Sequence, residues 1–275
     1  MTLPSGPAYF VRHRTTGAVL LKVEASSLEG QDLTRAALAL ADLRRERMQN
    51  CVLDWADLHE ADLSQAHLAF ADLRAASLER ALLTGANLEY ANLSTVRAGG
   101  ARFDSVRARF ARIRHSDLHD ACLREADFSG ADLLGANLTA VDATSATLYG
   151  ARLDQVNLSR STLQGCNLQG ATLRDAVLVG ASLTRSWLNR AELSLVKAER
   201  ADFTQTDLTR ADLHSADLRR AVFAFADLRG AHLMGADLRD AQLNGAAWTG
   251  ARYSSETRFP PEFDPAGAGM LRVSR

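Results

Sequence analysis

The sequence predicts a solenoid that turns a corner every five residues, and three observations predict it. Reading every fifth residue from Leu28 to Tyr253 gives 46 positions, of which 34 are Leu and four are Phe. Two residues before each lies a second column, with 30 Ala among its 41 positions from Cys51 to Ala251. All five prolines, Pro4, Pro7, Pro260, Pro261 and Pro265, fall outside this span. Repeats of this kind decide the fold before any local preference does.

A period of five matches neither regular template. On an α-helix each unit advances about 140° beyond a full turn and scatters the leucines around the cylinder. On a flat strand a shift of five puts the next side chain on the opposite face. Only a chain that bends at every unit keeps all the leucines inside. The unit reads A-[D/N]-L-x-x, as in Ala61-Asp62-Leu63 and Ala236-Asp237-Leu238. These units resemble the pentapeptide-repeat family, over about four-fifths of the chain. The resemblance implies an all-β fold, a right-handed quadrilateral parallel β-helix with four units per coil. The Leu or Phe and the small residue two before it both point inward in such a fold. Residues 20 apart then stack vertically. About eleven coils at ~4.8 Å each give a rod roughly 50–55 Å long.

The elements follow in order. Residues 1–27 read as an N-terminal β-hairpin cap, with Ala8 to Arg12 and Ala18 to Val23 joined by Arg14-Thr15-Thr16-Gly17. Such a cover is needed because an open sheet end templates association. Residues 28–253 form the solenoid, where the absence of proline suits a continuous ladder. Gln31 and Glu46 occupy inward small-residue positions and predict local irregularity in the first coil. Residues 254–275 read as an irregular C-terminal cap and tail.

Composition narrows the function classes. Hydrophobic residues are 47% of the chain but aromatics only 6%, so the core is built from small and aliphatic pieces. With 32 basic and 33 acidic residues the net charge is -1, and no global basic footprint announces a nucleic-acid partner. Lysine occurs only at Lys22 and Lys197 and isoleucine only at Ile113, a skew that fits a GC-rich genome. No apolar run reaches signal-peptide or membrane-span length, so a cytoplasmic location with no membrane contact is expected. Cys51, Cys122 and Cys166 are widely spaced and read as buried small residues, with neither disulfide nor metal implied.

Vertical stacking turns the sequence into a surface map with three features. Phe70, Tyr90 and Phe110 are 20 apart, each two residues past an inward position, and form an outward stripe. Trp55 flanks it around a corner and Tyr149 lies further along. The stripe reads either as a contact surface or as local packing, with Phe110 folded over the leucine missing at Ala108. Arg97, Arg102, Arg107 and Arg112 take the pre-leucine position of four successive units and ring one coil, reinforced by Arg109 and Arg114. The ring reads as a basic contact or as a solvated belt paired with Asp104, Asp117 and Asp120. Asp202, Asp207, Asp212 and Asp217 circle a higher coil below Asp227 and Asp237, and Asp57, Asp62 and Asp72 a lower one. Such carboxylates resemble the regular charges of a nucleic-acid duplex. Asp is also the ordinary residue there, able to bond the turn backbone, and nearby arginines offset the charge.

Catalytic signals are absent, and no cofactor is implied. His59 and His119 share a face three coils apart, too far to share a metal, and His214 and His232 lack a third ligand. No phosphate loop, nucleophile elbow or zinc spacing appears. Two functions remain. The resemblance extends to topoisomerase-protecting members of the family, which implies a DNA-mimicking rod that binds DNA gyrase and relieves a topoisomerase poison, in antibiotic resistance or self-immunity. The alternative is a scaffold or interaction module for an unrelated protein, or a homodimer, using the aromatic stripe. Direct nucleic-acid binding is not expected.

Overall fold

The computed structural model describes residues 8–274. The expected residues 1–7 of the N-terminal cap, with Pro4 and Pro7, and the terminal Arg275 lie outside the described residues. From Asp32 onward, each pre-leucine residue forms a parallel bridge with the residue 20 further on, from Asp32–Val52 to His232–Arg252. Four turns separate bridged partners, so the chain winds as a four-sided parallel β-helix.

The hydrogen bonds explain the composition of the unit, as the one built around Leu88 shows. The amide of Asn87 donates to Ala66 O in the coil below, at 2.9 Å. Those of Leu88 and Tyr90 donate to Arg107 O and Arg109 O in the coil above, at 2.6 and 3.0 Å. Ala91 N closes the corner on Leu88 O at 3.0 Å. One donor of the unit remains, the amide of Glu89. Asn87 Oδ1 accepts it at 3.0 Å, and Asp62 and Asp207 serve Ser64 and Thr209 in the same way. The Asp or Asn before the leucine is thus a turn cap, which leaves no unpaired buried amide in the unit.

The interior is two stacked columns per face. The inward leucines from Leu38 to Leu238, the four inward phenylalanines and the alanines of the small column over that span are buried, most of them completely. Phe203 and Phe223 stack inside at 5.0 Å between centroids. Hydroxyls in the small column are satisfied: Ser116, Ser186 and Thr206 donate to Leu93 O, Leu163 O and Leu183 O, each at 2.7 Å.

At the N-terminal end β1 (Tyr9–His13) pairs antiparallel with β2 (Val19–Val23) and with β3 (Ala41–Asp42). Val11 is buried against the first coils. The first coil keeps the regular turn pattern despite Gln31 and Glu46, in contrast to the expected irregularity. Both side chains are half-buried, and burial with the nearby Glu46 carboxylate holds the Tyr9 phenol well above its usual range.

At the other end the ladder runs beyond Tyr253. Arg258 bridges Asp237, one residue later than the repeat dictates. In β4 (Arg252–Tyr253) and β5 (Leu271–Arg272), Arg252 pairs with Leu271, one residue earlier. Trp248 and Tyr253 of the last regular coil form one aromatic cluster with Phe259 and Phe263 beyond it.

Candidate interaction surface

The fifth residue of each unit sits at a corner with positive φ, 61° at Phe70, 59° at Tyr90 and 56° at Phe110. That conformation turns the side chain outward. Phe70 and Tyr90 stack at 5.1 Å between centroids and 3° between planes, and Tyr90 and Phe110 at 5.3 Å and 18°. The rings remain 59%, 51% and 47% exposed, so mutual stacking leaves about half of each in solvent.

Phe110 does not fill the interior beside Ala108. Ala108 is fully buried, and the inward Phe103 of the same coil and Phe128 directly above it are buried with it. Tyr149 lies further along the same corner and Trp187 at the centre of the adjoining face, both about half exposed. Sequence reasoning passed over Trp187. The signal was available, because 187 is four coils above 107. Trp55 stands one corner away and lines a shallow recess of about 340 Å³ with Arg97, His59 and Glu79.

The arginine ring is brought together as one exposed belt, but its members differ. Arg97 Nε lies 3.5 Å from Glu79 and Arg102 Nε 3.1 Å from Asp104. Arg109 lies 3.8 Å from Asp127, with its guanidinium 6.0 Å from the Phe110 centroid. Arg114 pairs with Asp132 at 2.5 Å. Arg107 and Arg112 have no ion pair or hydrogen bond among the described residues. They sit at the centres of the two faces that meet at the stripe's corner.

The carboxylate columns are largely engaged. Asp227 and Asp237 each cap the next turn and hold an arginine, Arg229 and Arg239, at 2.6 Å. Those arginine hydrogen bonds keep both carboxyls below the usual carboxylate range. Asp217 is held the same way by Arg219.

Of the cysteines, Cys51 and Cys166 are buried, and desolvation pushes both thiols up to about 12. Cys122 is a correction: it occupies a pre-leucine position, is only half-buried, and donates to Asp104 at 2.8 Å. No His, Cys, Asp and Glu group among the described residues has metal-binding geometry. No helix among them is long and apolar enough to cross a membrane.

The family profile of pentapeptide repeats matches in eight copies spanning residues 61 to 252. Among solved structures, HetL from the cyanobacterium Nostoc sp. strain PCC 7120, a pentapeptide repeat protein involved in heterocyst differentiation regulation, is 32% identical. That match covers 81% of this chain and 84% of HetL, with a TM-score of 0.30. A second Nostoc pentapeptide repeat protein, alr5209, is 34% identical over 42% of this chain and 84% of its own, with a TM-score of 0.26. QnrB1, a plasmid-mediated fluoroquinolone resistance protein, is 18% identical over 63% of this chain and 90% of its own, with a TM-score of 0.39. No curated protein matches the chain.

Proposed function

Because the chain belongs to the pentapeptide-repeat family, we propose that it is a non-catalytic rod that docks a protein partner on its aromatic corner. The right-handed β-helix of about eleven coils serves as a rigid mount, capped by the N-terminal hairpin and by the C-terminal aromatic cluster. The carrying observation is the unbroken exposed stack Phe70–Tyr90–Phe110 in a chain poor in aromatics. Outward aromatic clusters of this kind are the usual anchors of protein contacts. Trp55 and the belt of Arg97, Arg102, Arg107 and Arg112 complete the proposed surface.

In-cell photo-crosslinking tests this reading. A photoreactive phenylalanine analogue placed at Tyr90 is expected to give discrete protein adducts, including a doubled chain if the partner is a second copy. The same analogue at Arg160, on the opposite corner, is expected to give none. Equal adducts from both corners, or none from Tyr90, would contradict the proposal.

A second reading has its own observation. The rod is uninterrupted, and Asp202, Asp207, Asp212 and Asp217 ring one coil with Asp227 and Asp237 above. This supports a DNA mimic acting on DNA gyrase or another type II topoisomerase and relieving a poison. The arginine partners of Asp217, Asp227 and Asp237 weigh against it. A supercoiling assay titrated with the protein, with and without a poison, decides the matter. Neither inhibition nor rescue at micromolar protein removes this reading.

A further inference from the structure

Residues 96–115 form one coil with six arginines and one aspartate, and the coil above, 116–135, carries five acidic residues and one arginine. Within the basic coil every unit has lost the side chain that caps its turn. The amides of Gly99, Asp104, Arg109 and Arg114 consequently find no hydrogen-bond partner among the described residues. Of the four arginines at that position, Arg97 and Arg102 gain ion pairs, whereas Arg107 and Arg112 have none among the described residues. Thr172, Val177, Ser182 and Trp187 leave a whole coil equally without such capping side chains, so what sets the basic coil apart is its exposed positive charge, with Arg107 and Arg112 unpaired among the described residues.

The stack beside them selects the chemistry of what binds. Each inner ring face is covered by its neighbour, so between Phe70 and Phe110 the rings offer edges rather than faces. Aromatic edges carry the positive end of the ring quadrupole. Bases, which need free faces, find none between Phe70 and Phe110. A long polyanion along the rod would also meet acidic residues directly above the belt. A short acidic segment avoids both obstacles.

We propose that the corner of Phe70, Tyr90 and Phe110 receives an acidic segment of a partner protein, its carboxylates on Arg107 and Arg112 and its apolar side chains on the ring edges. This rests on the docking reading above and names the partner's chemistry. Arg109, loosely held at 3.8 Å, is a third donor at the same corner.

The test is fluorescence anisotropy with a short labelled peptide of glutamate and leucine, against a matching peptide of lysine and leucine and against oligothymidylate. The acidic peptide is expected to bind and to weaken as salt rises. Arg107→Glu with Arg112→Glu is expected to weaken it about tenfold or more, as loss of charge-assisted hydrogen bonds does. Arg160→Glu is expected to leave it unchanged, with all variants melting like wild type. Equal binding of the lysine peptide, or an equal loss in Arg160→Glu, overturns the proposal. So does oligothymidylate binding as tightly with the same arginine dependence, which makes the ligand a nucleic acid. If peptide binding ignores the double variant while Tyr90 still crosslinks, the acidic chemistry falls and the docking reading stands. Loss of the Tyr90 adducts removes the docking reading itself.

Discussion

The ring of Phe110 lies over Gly130 in the next coil, where a β-carbon would come within 2.5 Å of its Cε1. Gly150, one coil higher at nearly the same φ (60° against 64°), has nothing within 4 Å of that point. The aromatic stack therefore ends on bare backbone. Gly130→Ala and Gly150→Ala both incur the cost of alanine at positive φ, about 1 kcal/mol. Only the first also displaces Phe110. Gly130→Ala is expected to be the more destabilising in urea titration and to change the near-UV circular dichroism of the stack. Identical behaviour of the two variants would contradict this placement of the ring.

Leu153 is wholly enclosed in mid-rod, whereas Leu243 near the C-terminal end is half-buried. Leu153→Ala is expected to cost ~2–5 kcal/mol, and Leu243→Ala clearly less because fewer groups surround its side chain. Equilibrium denaturation of the two variants measures the difference. Equal costs would mean that the end coils are packed as tightly as the centre.

Asp227 and Asp237 have carboxyls lowered first by their arginine hydrogen bonds. A carboxyl lowered by folding contributes stability above its unfolded value, about 3.9. That contribution is lost as pH falls through the folded value. Both pairs are solvent-accessible, so each is worth only about 0–1 kcal/mol. Asp227→Asn with Asp237→Asn keeps the turn caps, as Asn87 does for Glu89. The variant is expected to melt slightly below wild type at pH 7 and to lose less on acidification below pH 4. A parallel acid limb in thermal melts would show that these carboxyls do not govern it.

With Cys51 and Cys166 raised to about 12 by burial, neither is expected to react with a thiol reagent at pH 8 in the folded rod. Cys122, half-buried and raised by desolvation and Asp104, is expected to react alone and slowly. In urea all three should react. Rapid reaction of three thiols without denaturant would contradict the burial described.

Much of this fold was legible because its core repeats one instruction. Leu88, Ala86 and Asn87 each report an inward, small or turn-capping position without reference to distant residues. The ends were less legible, since Arg258 and Leu271 join the ladder one residue out of step and no period announces them. The stripe could be placed by counting in twenties, and Trp187 by the same count. Whether a ring stacks on its neighbour or turns inward depends on volume supplied elsewhere, at Phe103 and Phe128 for Ala108. The state of the arginines was likewise hidden, because ion pairs form between coils: Arg109 with Asp127 and Arg114 with Asp132, while Arg107 finds none among the described residues.

The central claim is that the exposed aromatic corner serves binding and the interior serves the fold. The direct measurement is the triple variant Phe70→Ser, Tyr90→Ser and Phe110→Ser, melted in parallel with wild type, with partner crosslinking read from an analogue at Ala69 in both. The account predicts a melting temperature within a few degrees of wild type, since exposed substitutions typically change stability by about 0.5 kcal/mol or less, and loss of the crosslinked adduct. An unchanged adduct, or collapse of the rod, would contradict it.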